Sequence, residues 1–78
     1  MTIPQHVTDA VLRTCDDHAK ASRAIADALT RKAPKAPKAK SLIAMHRNEQ
    51  HAFELLREHV AAGLLEQLTA AAEATRGF

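Results

Sequence analysis

The sequence predicts an all-α fold: two long antiparallel helices joined by a basic, proline-rich loop and assembled as a homo-oligomeric bundle. Three observations carry it. Apolar residues recur at alternating spacings of three and four on both sides of one break. That break contains two of the three prolines of the chain. The 78 residues include two Phe and neither Trp nor Tyr, so the apolar content is mainly Ala, Leu, Ile and Val. At roughly 25 cal/mol per Å² of apolar burial, so small and alanine-rich a chain is marginal as a lone pair of helices. Self-association is the remedy the composition leaves open. The single cysteine, Cys15, permits no internal disulfide and no zinc site of the CxxC type.

The first helix is expected at about residues 5–31. It begins at Pro4, acceptable in a first turn, or at Thr8, an acceptable N-cap with Asp9 behind it. Val11, Cys15, His18, Ser22, Ile25 and Leu29 form a narrow seam, widened by Leu12, Ala19 and Ala26. Residues 31–40 read RKAPKAPKAK. Pro34 and Pro37 disfavour helix there, giving a polyproline-like linker over 32–40. Ser41 is then the expected cap of the second helix.

That helix, over 41–74, carries Leu42, Met45, Phe53, Leu56, Val60, Leu64 and Leu68 on one stripe interrupted by Glu49. Gly63 is its weak point, at about 1 kcal/mol relative to Ala. The apolar phase crosses Gly63 without a slip, which favours continuity. The alternative is a break and a short third helix over 64–74. The whole chain, 1–78, reads as one helical domain. The expected interface for a copy or a partner is Val11, Ile25, Leu29, Phe53, Leu56, Val60, Leu64 and Leu68.

Charge is uneven although the net is only +2. Between residues 28 and 48 stand Arg31, Lys32, Lys35, Lys38, Lys40 and Arg47 and no acid. A solvated, lysine-rich linker accounts for this. An anion site at the start of the second helix accounts for it equally, with Lys35, Lys38, Lys40, His46 and Arg47 as its cations. Nucleic acid is disfavoured as the anion. Only Phe53 and Phe78 offer rings for stacking, and a lysine loop alone gives salt-sensitive, sequence-blind attraction.

No nucleophile-and-base arrangement and no glycine-rich phosphate loop is present, so no enzyme activity is expected. His46 with Glu49, and His51 with Glu54, lie one turn apart, and His51, Glu54 and Glu58 can share a face, but they read as polar helix positions rather than metal ligands. His18 reads as a hydrogen-bonded core histidine and Cys15 as a small buried residue. No cofactor is expected. The start MTIPQHVTDA carries neither a basic nor an apolar signal region, and no apolar run approaches the roughly 20 residues of a membrane span. A cytoplasmic protein is the expectation.

In size and layout the chain resembles a family of small phage proteins that sequester cyclic oligonucleotides and so blunt cyclic-oligonucleotide-based antiphage signalling. The stretch SLIAMHRNEQHAFELLREHV carries the likeness, with His46, Arg47, Asn48 and Gln50 ahead of Phe53, Leu56 and Val60. DDHAKASRAIADAL stands as the preceding polar, Ala-rich helix. The resemblance implies a compact homo-oligomer, of hexameric order, with ligands bound between subunits. His46 and Arg47 would be the contacts and Lys40 and the loop lysines would lie nearby. The first functional expectation is therefore sequestration of a small phosphorylated ligand by a phage anti-defence factor. The second is a protein–protein interaction module: a small inhibitor, adaptor or antitoxin-like hairpin that offers its apolar stripe to a larger host protein. An architectural nucleic-acid binder is a third.

Overall fold

The computed structural model describes residues 3–76, which form three α-helices and no strand: α1 (Gln5–Lys32), α2 (Ala39–Ala61) and α3 (Leu64–Thr75). Phe78 and the outermost ends of the expected domain lie outside the described residues. Pro4, not Thr8, occupies the N-cap of α1, and its carbonyl accepts from the amides of Val7 (3.0 Å) and Thr8 (3.4 Å). At the other end the amide of Ala33 closes on the Leu29 carbonyl at 3.1 Å, and Pro34 prevents a further turn.

The linker departs from the expected polyproline extension. The repeat Ala-Pro-Lys-Ala places a proline second in each of two consecutive β-turns. Their closing bonds run from Ala36 to the Ala33 carbonyl (3.2 Å) and from Ala39 to the Ala36 carbonyl (3.0 Å). The second turn puts Lys38 at φ 66° and ψ 0°, a left-handed conformation that costs a non-glycine residue about 1–2 kcal/mol. Helix α2 starts directly from this turn at Ala39, so Ser41 is its third residue rather than its cap. Lys38 stands at the N-cap, and no side chain caps the helix.

Helices α1 and α2 run antiparallel, since contacts climbing α1 meet α2 in descending order: Asp16 with Arg57, His18 with Phe53, Ser22 with Glu49, Asp27 with Arg47. The seam between them is made of small side chains. Cys15, Ser22 and Ala26 of α1, with Ala39 and Val60 of α2, are the residues classed as buried. Small residues at the crossing let the two backbones approach closely but remove little apolar area from water.

The second helix does not run through Gly63. The amide of Gly63 closes on the Val60 carbonyl (3.1 Å), Gly63 takes φ +105°, and α3 begins at Leu64. This corrects the continuity inferred from the apolar phase. A glycine in a left-handed conformation ends a helix by satisfying its last carbonyls. The unbroken phase is only two amphipathic helices in succession. No residue of α3 is buried, and Leu68 is 57% exposed.

The result measures 55 × 27 × 14 Å with a radius of gyration of 17.1 Å. A compact chain of this length would have a radius near 11.5 Å. A thickness of 14 Å is little more than the roughly 10–12 Å diameter of one helix, so the fold is a single layer of helices.

Gly63→Ala should lower the melting temperature. A Cβ meets nothing closer than Glu66 Oε2 at 3.8 Å, so the cost is backbone strain of about 1–2 kcal/mol. In a domain of this size that is roughly 4–16 °C, read by thermal circular dichroism. An unchanged melting temperature with α3 still helical would contradict the left-handed assignment of Gly63.

Candidate functional site

A single layer of helices has two broad faces, and the sequence makes them chemically different. On α1, Asp16, Lys20, Arg23 and Asp27 follow one another at spacings of four, three and four. On α2, Arg47, Gln50, Glu54 and Arg57 do the same at three, four and three. These two rows meet on one side of the seam. Arg57 Nε pairs ionically with Asp16 Oδ1, and an Arg47 terminal nitrogen donates to Asp27 Oδ1, both at 2.7 Å. Arg23 stands 3.9 Å from the other Asp27 oxygen, and Gln50 donates to Glu54 at 2.9 Å. Hydrogen bonding from Arg47, aided by the charges of Arg47, Arg23 and Arg31, holds the Asp27 carboxyl below its ordinary value of 3.8 against a smaller burial effect. Solvent screens half-exposed pairs of this kind, so they act more as clips that fix helix register than as sources of stability.

The opposite side is apolar. It carries Val7, Val11 and Ile25 from α1 and Leu42, Met45, Ala52 and Leu56 from α2. Val7, Ile25, Leu42, Met45 and Leu56 are each about 40% exposed. Two open grooves score this face. One, of about 390 Å³, lies between the helices against Val7, Ala10, Val11, Thr14, Phe53 and Leu56. The other, of about 660 Å³, runs along α2 past Ser41, Ala44, Met45, Asn48, Glu49 and Ala52. Of the polar groups here, Ser41 and Asn48 are exposed, whereas His46 and Glu49 are partly drawn toward the seam. Glu49 Oε2 accepts from Ser22 Oγ at 3.2 Å and lies 3.5 Å from His46 Nδ1. That second approach lacks hydrogen-bond geometry, so His46 Nδ1 is buried without a partner.

His18 is not the hydrogen-bonded core histidine its position suggested. Its ring stacks on Phe53 with centroids 4.7 Å apart and planes 14° from parallel, and its edge remains exposed. Phe53 is therefore occupied by His18 and shares its remaining surface with the 390 Å³ groove.

The expected anion ligands divide into two groups. Lys35, Lys38 and Lys40 are exposed on or beside the double turn and make no ion pair among the described residues. Arg47 and His46 are instead turned into the helix pair, Arg47 against Asp27 and His46 against Glu49. The five are thus not convergent on one point. Of the expected interface residues, Val60 is buried and Val11, Leu29, Phe53 and Leu64 are half-buried. Ile25, Leu56 and Leu68 are exposed. Sequence reading missed the two cross-helix arginine–aspartate clips. Their signal was the matched rows of alternating charge, which predict partners only once the antiparallel register is known.

His51 Nδ1 and Glu54 Oε2 stand 3.6 Å apart on the surface, and no group of three or more His, Cys, Asp or Glu among the described residues is arranged to hold a metal ion. Among the same residues no helix is long and apolar enough to cross a membrane. No protein-family model, no curated protein and no solved structure matches the chain.

Asp27→Asn should reduce stability near neutral pH and leave it almost unchanged in acid. A carboxyl whose pKa is lowered by folding contributes above its unfolded pKa and loses that contribution as pH falls through the folded value. Melting temperatures of wild type and variant should therefore converge below the ordinary carboxylate range. A gap that persists there would assign the loss to packing rather than to the Arg47 pair.

Proposed function

We propose that this protein is a non-catalytic helical interaction module whose working surface is the apolar broad face. The observation that carries the reading is the placement of five large aliphatic side chains, each about 40% exposed, on one side of a layer 14 Å thick. Monomeric proteins rarely present contiguous apolar patches of more than a few hundred Å² without using them. The face has the character of a helix-in-groove or helix-bundle surface, with anchors at three- and four-residue intervals. Polar clips on the reverse face hold the two helices in register, so the apolar anchors are presented on a preorganised surface.

Native mass spectrometry of the protein isolated from its own cells tests this. A stoichiometric complex, with itself or another protein, is expected for the wild type and should be lost in Met45→Glu and Leu56→Asp. Both positions are exposed, so helical content should be retained. A complex that survives in both variants would move the interface elsewhere.

One observation favours a second reading, sequestration of a small phosphorylated ligand. Lys35, Lys38 and Lys40 are exposed and without carboxylate partners among the described residues, at the end of the hairpin that carries no acid between residues 28 and 48. Arg47, already held by Asp27 at 2.7 Å, takes a structural part in this version. The grooves of one chain are open, so such a ligand would be enclosed only between copies. Anisotropy of a fluorescent cyclic dinucleotide should rise with the wild type and fail to rise when Lys35, Lys38 and Lys40 are all changed to Glu. Equal binding by the triple variant would remove this reading.

A further inference from the structure

We infer that the occupant of the apolar face is a second copy of this chain, docked in reverse so that the lysine turn of each copy lies over the acidic end of the other. This rests on the apolar face being the working surface and names its partner.

Area is the first argument. Two helices side by side, about 42 Å long and about 20 Å across, present roughly 800 Å² of broad face. One partner contributes about that much to a stable interface of standard size. The chain also needs the contact. Its buried residues are Cys15, Ser22, Ala26, Ala39 and Val60, none of them a large side chain, so apolar burial within one copy is small. Stacking two layers face to face converts Val7, Val11, Ile25, Leu42, Met45 and Leu56 into the core of a four-helix bundle.

Charge sets the direction. Residues 28–48, at the turn, hold six bases and no acid. Residues 5–20 and 54–76, toward the open end, hold seven acids (Asp9, Asp16, Asp17, Glu54, Glu58, Glu66, Glu73) against four bases (Arg13, Lys20, Arg57, Arg76). Face-to-face packing of identical chains allows two closed arrangements. With the two-fold axis along the helices, turn meets turn and like charges are stacked. With the axis in the interface and across the helices, each basic turn meets an acidic end. The second arrangement is electrostatically complementary. At the centre of the face the Glu49 side chain is 45% exposed but is already held by Ser22 Oγ at 3.2 Å, beside His46.

The experiment combines sedimentation velocity with one intermolecular distance. The wild type should sediment as a dimer that dissociates as salt is raised, because exposed charges are screened. A Lys35→Cys variant in a Cys15→Ala background, spin-labelled at the turn, should give an interchain distance of about 40 Å, roughly the hairpin's length. An interchain distance below about 20 Å would put turn on turn and overturn the orientation. A wild type that is monomeric at every concentration would overturn the second copy as occupant. It would leave the interaction-module reading standing, because loss of a hetero-complex in Met45→Glu is scored separately. Dimerisation retained by a folded Met45→Glu variant would overturn the face.

Discussion

The close approach of two helices across a seam of small residues governs the rest of this structure. Ala26 and Ala39 are almost wholly enclosed, with Ser22 and Cys15 beside them, and none of these side chains holds the helix axes apart. A seam of this kind is too narrow to swallow leucines. The larger aliphatic residues of both helices are therefore pushed to its flanks, where the protein shows them to solvent or to a partner. The polar rows occupy the other flank, and the difference between the two faces follows from the same geometry. Packing between α1 and α2 thus fixes the hairpin while leaving most of the apolar area unspent.

The interruption at Gly63 adds a second level to this hierarchy. α3 makes only a light contact with α2, buries none of its residues and presents Leu68 outward. Such a segment is expected to open at lower free energy than the hairpin. Its half-buried Leu64 and Leu65 tie it to the end of α2 without committing the remainder. The protein is thus a rigid pair of helices with a loosely attached third, and the loose element lies at the acidic end.

Much of the architecture was legible because it follows from short-range rules. Three- and four-residue periodicity marked the helices, and Pro34 and Pro37 marked the reversal between them. The seam of α1 was legible at Cys15, Ser22 and Ala26, but the pattern could not place its angular position on α2. The stripe expected on α2 took in Phe53 and Val60, which lie nearer α1, together with Leu42, Met45 and Leu56 on the flank, and left out Ala39, Ile43 and His46. Alanine and serine carry weak hydrophobic signals and decide close approach. A stripe drawn from large residues therefore mixes the flank with the contact. Ser41 failed as a cap for a similar reason, since the β-turn around Pro37, closed by the Ala39 amide on the Ala36 carbonyl, delivers the chain into helix two residues earlier. The candidate anion cluster was legible as charge but not as geometry, because pairing of Arg47 with Asp27 depends on a register that sequence spacing does not reveal.

A layer one helix thick also determines how its sequence can drift. In a globular domain, a protected interior constrains a large share of positions whatever the protein does. Here the fold by itself constrains only the seam, the left-handed Gly63 and the double turn, so most positions on the broad faces are free as far as folding is concerned. Any aliphatic position on the apolar face that resists replacement in natural variants does so on account of assembly. In this protein, tolerance to substitution is a direct record of which surface is used.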